Sequence, residues 1–339
     1  MNKRERVDAA VRGQPLDRPP VSAWRHFVDR ESNAADLAGA MLAWYREYDW
    51  DFLKVNPRAT YAVEGWGNQY DFSRYQGVAP TPVENAIERP ADLARIRPLD
   101  PGSGPFGEQL EAVRRIAREV GGDGYVIQTI FSPLSYLVTL AGGAGAVTGP
   151  GSAASRVREL ESAEPEAFRA ALRAIATTLA AYAGELLRAG ADGIFFAVVR
   201  IARDAQLTRE EYGRLGRPGD FAVLDAVRAA RFNVLHVCGD GIHLDAFADY
   251  PVQAWNWDVL GRGNPELAEG QRLLPGAVAG GTAEAGALQS GTPEQVAALV
   301  RDAIASTGGQ RLIVAPGCSV KPPQSEANLR ALRRAVEAG

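Results

Sequence analysis

The sequence predicts an α/β protein folded as a single (β/α)8 TIM barrel over residues 1–339, with long βα loops at the C-terminal mouth. Three observations support this fold. Apolar, strand-like runs alternate with amphipathic helical patterns from one end of the chain to the other. Most of the runs are continuously apolar, as expected for strands of a parallel sheet that is covered on both faces. No break in composition divides the repeats into two domains.

Eight apolar runs are predicted as the strands of this barrel. They cover residues 20–25, 51–56, 125–131, 193–199, 233–238, 254–258, 277–282 and 312–316. The helices predicted between them cover residues 34–48, 107–120, 164–189, 208–229, 293–307 and 325–338. Thr292 precedes a proline in the first turn of one helix, and Thr208 forms a capping-box pattern with Glu211 in another. An open doubly wound sheet is the alternative architecture, but no Gly-x-Gly-x-x-Gly turn follows the first run.

Two long insertions interrupt the repeat. Residues 57–105 follow the second predicted strand and are rich in aromatic side chains, among them Trp66. Because long βα loops form the mouth of a barrel, we expect this insertion to line a substrate pocket. Residues 141–155 are rich in Gly, Ala and Ser, and they fit either a flexible loop or a linker between two helices.

The composition excludes several classes of protein. Of the 339 residues 46% are hydrophobic, and 37 Lys and Arg against 41 Asp and Glu leave a net charge of −4. Without a basic block, no nucleic-acid partner is expected. No apolar run approaches the roughly 20 residues that cross a bilayer, and the N-terminus has no apolar signal segment. We therefore expect a cytoplasmic protein with no membrane partner, whose two distant cysteines are reduced.

The most specific chemical pattern combines His236, Cys238 and Cys318. His236 and Cys238 are two positions apart at the end of the fifth predicted strand, so their side chains share one face. Cys318 follows the eighth predicted strand, and the C-terminal ends of all barrel strands meet at one mouth. One imidazole and two thiolates would form a catalytic Zn²⁺ site with an open fourth position. The alternatives are buried core residues, because free cysteines are commonly buried, or a redox-active dithiol.

Other side chains at predicted strand ends are candidates for substrate binding. Arg25 could bind a carboxylate or phosphate group, or form a surface ion pair. His26 could act as a proton shuttle or line the pocket. Asp258 could bind a ligand, orient His236 or cap the next helix, and Asp240 could also support the site. The remaining candidates for substrate contact are Asn56, Trp66, Gln128, Tyr136 and Trp257.

Over essentially its whole length the sequence resembles the uroporphyrinogen decarboxylase superfamily. The resemblance lies in DRPPV at 17–21, WRH at 24–26, YAVEGWG at 61–67, GADG at 190–193, HVCGD at 236–240 and GC at 317–318. It implies a (β/α)8 barrel, in agreement with the strand count. The superfamily contains two chemistries, which are cofactor-free decarboxylation of porphyrinogen acetates and methyl transfer between corrinoid proteins and thiols or folates.

The decarboxylase branch fits the local residues poorly. Its members have an Arg-Gln-Ala-Gly-Arg segment after the first strand, where this chain has RHFVDR at 25–30. They have an aspartate in place of Asn56 and Gly-His-Gly in place of Gly317-Cys318-Ser319. The fourth strand of the family delivers a serine, whereas residues 196–199 contain none. Decarboxylation of a porphyrinogen or related polycarboxylate in tetrapyrrole biosynthesis is therefore the alternative function.

The methyltransferase branch has the pattern His-x-Cys followed by a distant Cys, which His236, Cys238 and Cys318 match. This resemblance implies zinc-dependent methyl transfer between a methylated corrinoid (cobamide, cobalamin) and a thiol or folate acceptor. The implied partners are a corrinoid protein or free cobamide and a small-molecule thiol or folate, and a homodimer is compatible with the resemblance. A barrel that binds a corrinoid or tetrapyrrole without turnover is a third hypothesis.

Overall fold

Parallel strands form the central sheet of the protein, as the apolar runs predict. The computed structural model describes residues 1–142, 152–199, 201–283 and 286–337. Its strands are Phe52–Val55 (β1), Gln69–Gln76 (β2), Ala79–Glu84 (β3), Tyr125–Phe131 (β4), Gly193–Val199 (β5), Val234–Cys238 (β6), Ala254–Asn256 (β7), Ala277–Thr282 (β8) and Leu312–Pro316 (β9). Seven of them form a parallel sheet in the order β1-β4-β5-β6-β7-β8-β9, and β2 pairs with β3 as an antiparallel hairpin.

The helices alternate with the strands of the sheet. They are Lys3–Arg12 (α1), Ala34–Tyr48 (α2), Tyr61–Gly65 (α3), Gly104–Val120 (α4), Pro133–Leu140 (α5), Ser152–Ala163 (α6), Pro165–Arg188 (α7), Arg209–Leu215 (α8), Arg217–Ala226 (α9), Leu267–Leu273 (α10), Ala287–Ser290 (α11), Pro293–Thr307 (α12) and Glu326–Ala335 (α13). Short 3₁₀ helices cover Pro90–Arg95 and Leu244–Phe247. Within the described ranges, no helix combines the length and apolar character needed to cross a bilayer.

Seven of the eight predicted strands are confirmed, but the first predicted strand, 20–25, is not a regular strand. Val21 forms one isolated parallel bridge with Val314 of β9, and the amide of Asp51 donates to the carbonyl of Val21. The segment therefore connects β9 and β1, the two edges of the sheet, but it does not extend into a ladder. Pro20 has no N–H group to donate, and the N–H of Val21 donates to the side chain of Asp51 instead of to a strand backbone, so neither residue contributes a backbone donor to a ladder.

The predicted helix 208–229 is also wrong in one respect, because it is divided into α8 and α9 at Gly216. Pro218 has no N–H for the next helical hydrogen bond, so the chain restarts a helix with this proline in the first turn. The first insertion, 57–105, forms α3, the β2–β3 hairpin and the first 3₁₀ helix. The second insertion, 141–155, lies largely outside the described residues, and its last part begins α6.

The two faces of the sheet bury different sets of side chains. One face packs against the surrounding helices. The other face carries a separate cluster of aromatic and small residues: Phe52, Tyr125, Ile127, Phe195, Ala197, Val234, Ala254, Ala277, Ala279, Ile313 and Ala315. Trp24 completes this interior cluster, and Val7 and Ala10 of α1 join it. Alternate residues of each strand therefore point to the interior, and continuing that alternation leads to the candidate site.

Candidate metal centre

Three side chains that could hold a metal ion meet at the C-terminal ends of β6 and β9. One potential ligand atom from each of His236, Cys238 and Cys318 lies within 4.8 Å of the others. His236 is buried and both cysteines are half-buried. The structure thus brings together the three residues that the sequence pattern predicts as a zinc site.

Strand register explains this convergence. Val234 faces the interior, so His236 and Cys238 face the same way at alternate positions of β6. Cys318 reaches them from the turn that follows β9. That turn needs glycine at position 317, because a Cβ atom there would lie 2.6 Å from the Cα atom of Asp258.

Asn256 of β7 determines which nitrogen of His236 is free. Asn256 lies opposite His236 in the register of β6 and β7, and its Oδ1 atom is 2.7 Å from His236 Nδ1. The amide group cannot be reversed, because Asn256 Nδ2 donates to the carbonyl oxygens of Ala279 and Pro316. Nδ1 of His236 must therefore carry the proton, which leaves a lone pair on Nε2.

The donor set fits a zinc ion. Nε2 of His236 is fully buried and has no hydrogen-bond partner, which is unfavourable for a polar atom unless a ligand satisfies it. One imidazole nitrogen and two thiolate sulfurs suit Zn²⁺ and disfavour Mg²⁺ and Ca²⁺. Three protein ligands leave the fourth position of a tetrahedral ion for a substrate, as in catalytic zinc sites.

Local electrostatics favour the thiolate form at this centre. A hydrogen bond with Cys238 is the main reason that the pKa of Cys318 lies well below its usual range. The backbone amide of Ser319 acts in the same direction, while burial opposes both effects. Because the thiolate is the metal-binding form of cysteine, the site is prepared for a cation.

Lys54 is a residue of this region that the sequence analysis missed. It lies in β1, it is 4% exposed, and its ammonium group donates to Asn56 Oδ1 at 2.5 Å. Asn56 Nδ2 in turn donates to the hydroxyl of Ser319 at 3.0 Å. Burial lowers the pKa of Lys54 to about 7, and the charge of Cys318 opposes this effect. The sequence does contain a signal for this residue, because a lysine between the apolar residues Leu53 and Val55 of a predicted buried strand is unusual.

Two predicted substrate-binding residues lie beside the three donors. Asn56 is connected to the Cys318 turn through Ser319. Asp258 packs against Gly317, and its carboxylate accepts a hydrogen bond from the amide of Leu260. Burial raises the pKa of Asp258, and the charges of Asp240 and Cys318 add to that increase. The predicted role of Asp258 in orienting His236 is wrong, because Asn256 occupies that position.

Arg25 and His26 follow the segment that joins the two edges of the sheet. The Arg25 guanidinium lies 4.5 Å from the centroid of Phe27, and its Nε donates to the carbonyl of His26. His26 Nδ1 is 3.3 Å from a carboxylate oxygen of Glu31, which is 1% exposed. The other oxygen of Glu31 is buried without a partner. His26 is thus paired with a buried carboxylate, while Arg25 is held against an aromatic ring.

Four other predicted substrate contacts are not brought to the centre. Gln128 and Tyr136 are fully buried between the sheet and the helices, where Gln128 faces Tyr182. Trp257 is also fully buried, and its indole donates to the carbonyl of Pro265. Trp66 packs against Phe106 of α4 and donates to the carbonyl of Arg97. Each of these side chains lies outside the group of three donors, and its contact with a substrate stays a prediction.

Comparison with known proteins agrees with this architecture. The model of the family "Uroporphyrinogen decarboxylase (URO-D)" matches residues 2–339. The chloroplastic uroporphyrinogen decarboxylase of Nicotiana tabacum is 22% identical over 344 residues, covering 94% of this chain and 83% of that protein.

Two solved structures share the fold. A methyltransferase from Methanosarcina mazei superposes with a TM-score of 0.83 at 18% identity, covering 100% of this chain and 99% of the other. A B12-independent methionine synthase from Shewanella sp. superposes with a TM-score of 0.57 at 15% identity, covering 96% and 94%. With a family model that matches nearly every residue, the chain belongs to the uroporphyrinogen decarboxylase family.

Proposed function

We propose that this protein is a zinc-dependent methyltransferase that moves a methyl group between a methylated corrinoid and a thiol or folate acceptor. The observation that carries the proposal is the convergence of His236, Cys238 and Cys318, with a buried imidazole nitrogen that lacks a partner. A role in the hydrophobic core explains a single buried cysteine, but it does not explain one imidazole and two thiol groups that converge from the C-terminal ends of β6 and β9.

Each residue of the site has a defined task in this proposal. His236, Cys238 and Cys318 would hold the metal, and Asn256 keeps His236 in the tautomer that offers Nε2. A zinc ion bound there would act as a Lewis acid that lowers the pKa of a substrate thiol. Asp258, half-buried beside the Cys318 turn, has a raised pKa and is placed to exchange a proton with such a substrate.

The choice of methyl carrier follows from the residue pattern of the site. The resemblance of His236, Cys238 and Cys318 to the methyltransferase pattern favours a corrinoid, free or bound to a partner protein. The similar fold of the Methanosarcina mazei methyltransferase is consistent with this choice. Methyl transfer from a cobamide relies on the cobalt for the difficult chemistry, and the protein supplies binding, orientation and exclusion of water.

Metal analysis and a spectral assay test the proposal. Protein purified without chelators should contain about one zinc per chain, and Cys318→Ser should lose most of it. When methylcobalamin is incubated with 2-mercaptoethanol, its absorption spectrum should change to that of the demethylated cobalamin only if the zinc-loaded protein is present. The metal site would be excluded if the wild-type protein contained far less than one zinc per chain and Cys318→Ser contained the same amount. A zinc-loaded protein without demethylation of methylcobalamin or a corrinoid protein would exclude methyl transfer.

Decarboxylation of a porphyrinogen is the alternative, favoured by the 22% identity to the tobacco enzyme. It requires arginines that are free to bind substrate carboxylates. Arg58, the nearest candidate after β1, is already paired with Glu64 and Glu108 at 2.8 and 2.6 Å. Arg25 lies against Phe27, and Arg200 is outside the described residues. Formation of coproporphyrinogen from uroporphyrinogen would establish this alternative.

A further inference from the structure

Lys54 places an amine inside the sheet that folding alone does not require, and with its pKa lowered to about 7 this amine is about half protonated at pH 7. It points to the interior of the sheet, two residues after Phe52, and it is 4% exposed. Among the described residues its ammonium group has a neutral partner, Asn56, and no carboxylate. An ammonium group buried without an anion is strongly unfavourable, and an apolar side chain of similar size would avoid that cost.

Two chains of contacts connect Lys54 to the metal centre. Its Nζ atom lies 4.4 Å from the centroid of Phe195, and His236 stacks on the same ring at 5.4 Å. On the other side Asn56 joins Lys54 to Ser319, which follows Cys318. Aromatic faces and amide oxygens hold a cation in place without neutralising it. The positive charge is therefore available to an anion bound at the strand ends.

We propose that Lys54 is a positioning residue whose positive charge selects an anionic thiolate, rather than a neutral group, as the ligand of the centre formed by His236, Cys238 and Cys318. This inference rests on the proposed function and narrows its acceptor to a thiol. The two cysteine thiolates balance the charge of a zinc ion, so a thiolate substrate adds one negative charge that Lys54 offsets. On binding, the proton of the substrate thiol passes to Asp258 or to solvent, and the charge of the bound thiolate keeps Lys54 protonated.

Cobalt(II)-loaded protein provides the test, because cobalt–thiolate bonds give intense absorption bands. The probes are 2-mercaptoethanol, which binds as a thiolate, and imidazole, which binds as a neutral ligand, each titrated at pH 7. Lys54→Met keeps the length of the side chain and removes its charge. The Lys54→Met substitution should weaken the binding of 2-mercaptoethanol about tenfold, because a nearby opposite charge changes the stability of an anion by at least about one pKa unit. The affinity for imidazole should stay within about twofold of the wild-type value.

Two control variants separate charge from structure. Lys321→Met removes an exposed lysine three residues after Cys318, and it should bind both probes as the wild type does. Lys54→Gln keeps a hydrogen-bond donor near Asn56 without the charge, and it should behave as Lys54→Met does. Unchanged thiol affinity in both Lys54 variants, or equal losses for thiol and imidazole, would overturn the proposal.

A metal-free measurement distinguishes this proposal from the zinc assignment. In metal-free protein, the pH midpoint of iodoacetamide alkylation at Cys318 should lie higher in Lys54→Met than in the wild type, because the thiolate loses a nearby positive charge. Peptide mass spectrometry resolves Cys318 from Cys238. A wild-type chain that binds no cobalt would contradict the proposed function, and equal pH midpoints of Cys318 alkylation in Lys54→Met and the wild type would contradict the role of Lys54.

Discussion

At the scale of single residues, Asn256 controls the chemistry of His236 without being a metal ligand itself. Its amide is locked by two backbone carbonyls, so only its oxygen can face the imidazole. Partners of this kind fix the orientation of a ligand histidine and raise its basicity. Asn256 therefore converts an ordinary strand histidine into one whose Nε2 is permanently available.

We predict that Asn256→Ala weakens zinc binding about 10- to 100-fold, the usual effect of losing such a partner. The His236 ring would be free to rotate and to carry its proton on either nitrogen. Competition with a chromogenic chelator measures the affinity. Asn328→Ala is the matched control, since Asn328 is equally buried and also donates to two backbone carbonyls, but in the α11–α13 region. Equal zinc affinities of Asn256→Ala and wild type would contradict the role of Asn256.

The three candidate metal ligands could be predicted from sequence, but their supporting residues could not. His236, Cys238 and Cys318 are rare residue types, and their positions at strand ends are evident from the apolar runs. Asn256 and Lys54 act through pairing between strands, and a sequence does not reveal which residues lie opposite each other. Asp258 was the predicted partner of His236 because it is an acid at a strand end, yet the register places Asn256 there.

At the scale of elements, Asp220 connects α9 to its neighbours through a buried carboxylate. Its Oδ2 atom accepts hydrogen bonds from the hydroxyls of Tyr212 in α8 and Tyr250, at 2.7 and 2.8 Å. Its Oδ1 atom is buried without a partner. Burial raises the pKa of Asp220 to about 7, against 3.8 in the absence of such an environment. The folded chain therefore retains this proton at a pH where the unfolded chain has released it.

This shift predicts how stability depends on pH. The stabilising contribution of Asp220 to the free energy of unfolding is fully present below pH 4, and it is lost as the pH rises to about 7. Asp220→Asn removes the titration, so its free energy of unfolding should gain a few kcal/mol relative to wild type between pH 5 and pH 8. Urea unfolding at both pH values measures the difference. Asp225→Asn, on the exposed side of the same helix, should show no such trend, and a trend common to both variants would refute the assignment.

Gly317 controls the position of the turn that carries Cys318. An added Cβ atom would lie 2.6 Å from Cα and 2.8 Å from Cβ of Asp258, so one of the two strand ends must move. We predict that Gly317→Ala destabilises the protein by about 1–3 kcal/mol and weakens zinc binding. Thermal unfolding and chelator competition provide the measurements. Gly39→Ala is the control, because its Cβ would meet only the end of the Arg30 side chain at 3.8 Å.

Hydrophobic patterns in the sequence predict most of the helices and strands correctly. Continuous apolar runs indicate buried parallel strands, and α2 and α12 begin and end where the sequence predicts. The two errors both involve proline. Pro20 lies in an apolar run that reads as a strand, and Pro218 lies in an amphipathic pattern that reads as one helix. Hydrophobic periodicity reports which face is buried, but it does not report whether each backbone N–H can complete its hydrogen bond.

At the scale of the whole molecule, the candidate centre joins distant parts of the chain. His236 and Cys238 belong to the middle of the sheet, whereas Cys318 follows its last strand, β9. The interior cluster and the sheet–helix layer are buried independently of these three side chains. The fold should therefore persist without metal, and the metal should add stability by holding two strand ends together.

Removing zinc should consequently lower the melting temperature without unfolding the chain. A ligand that binds only the folded state stabilises it by RT ln(1 + [L]/Kd), which is about 4 kcal/mol when free zinc is 1,000-fold above Kd. Differential scanning calorimetry with zinc and with chelator measures this term, and far-UV circular dichroism of the metal-free chain should retain its helical signal. Cys318→Ser should melt at the same temperature in both conditions. A metal-free wild type that has lost its secondary structure would indicate a structural zinc required for folding, and would contradict a catalytic centre placed on a preformed sheet.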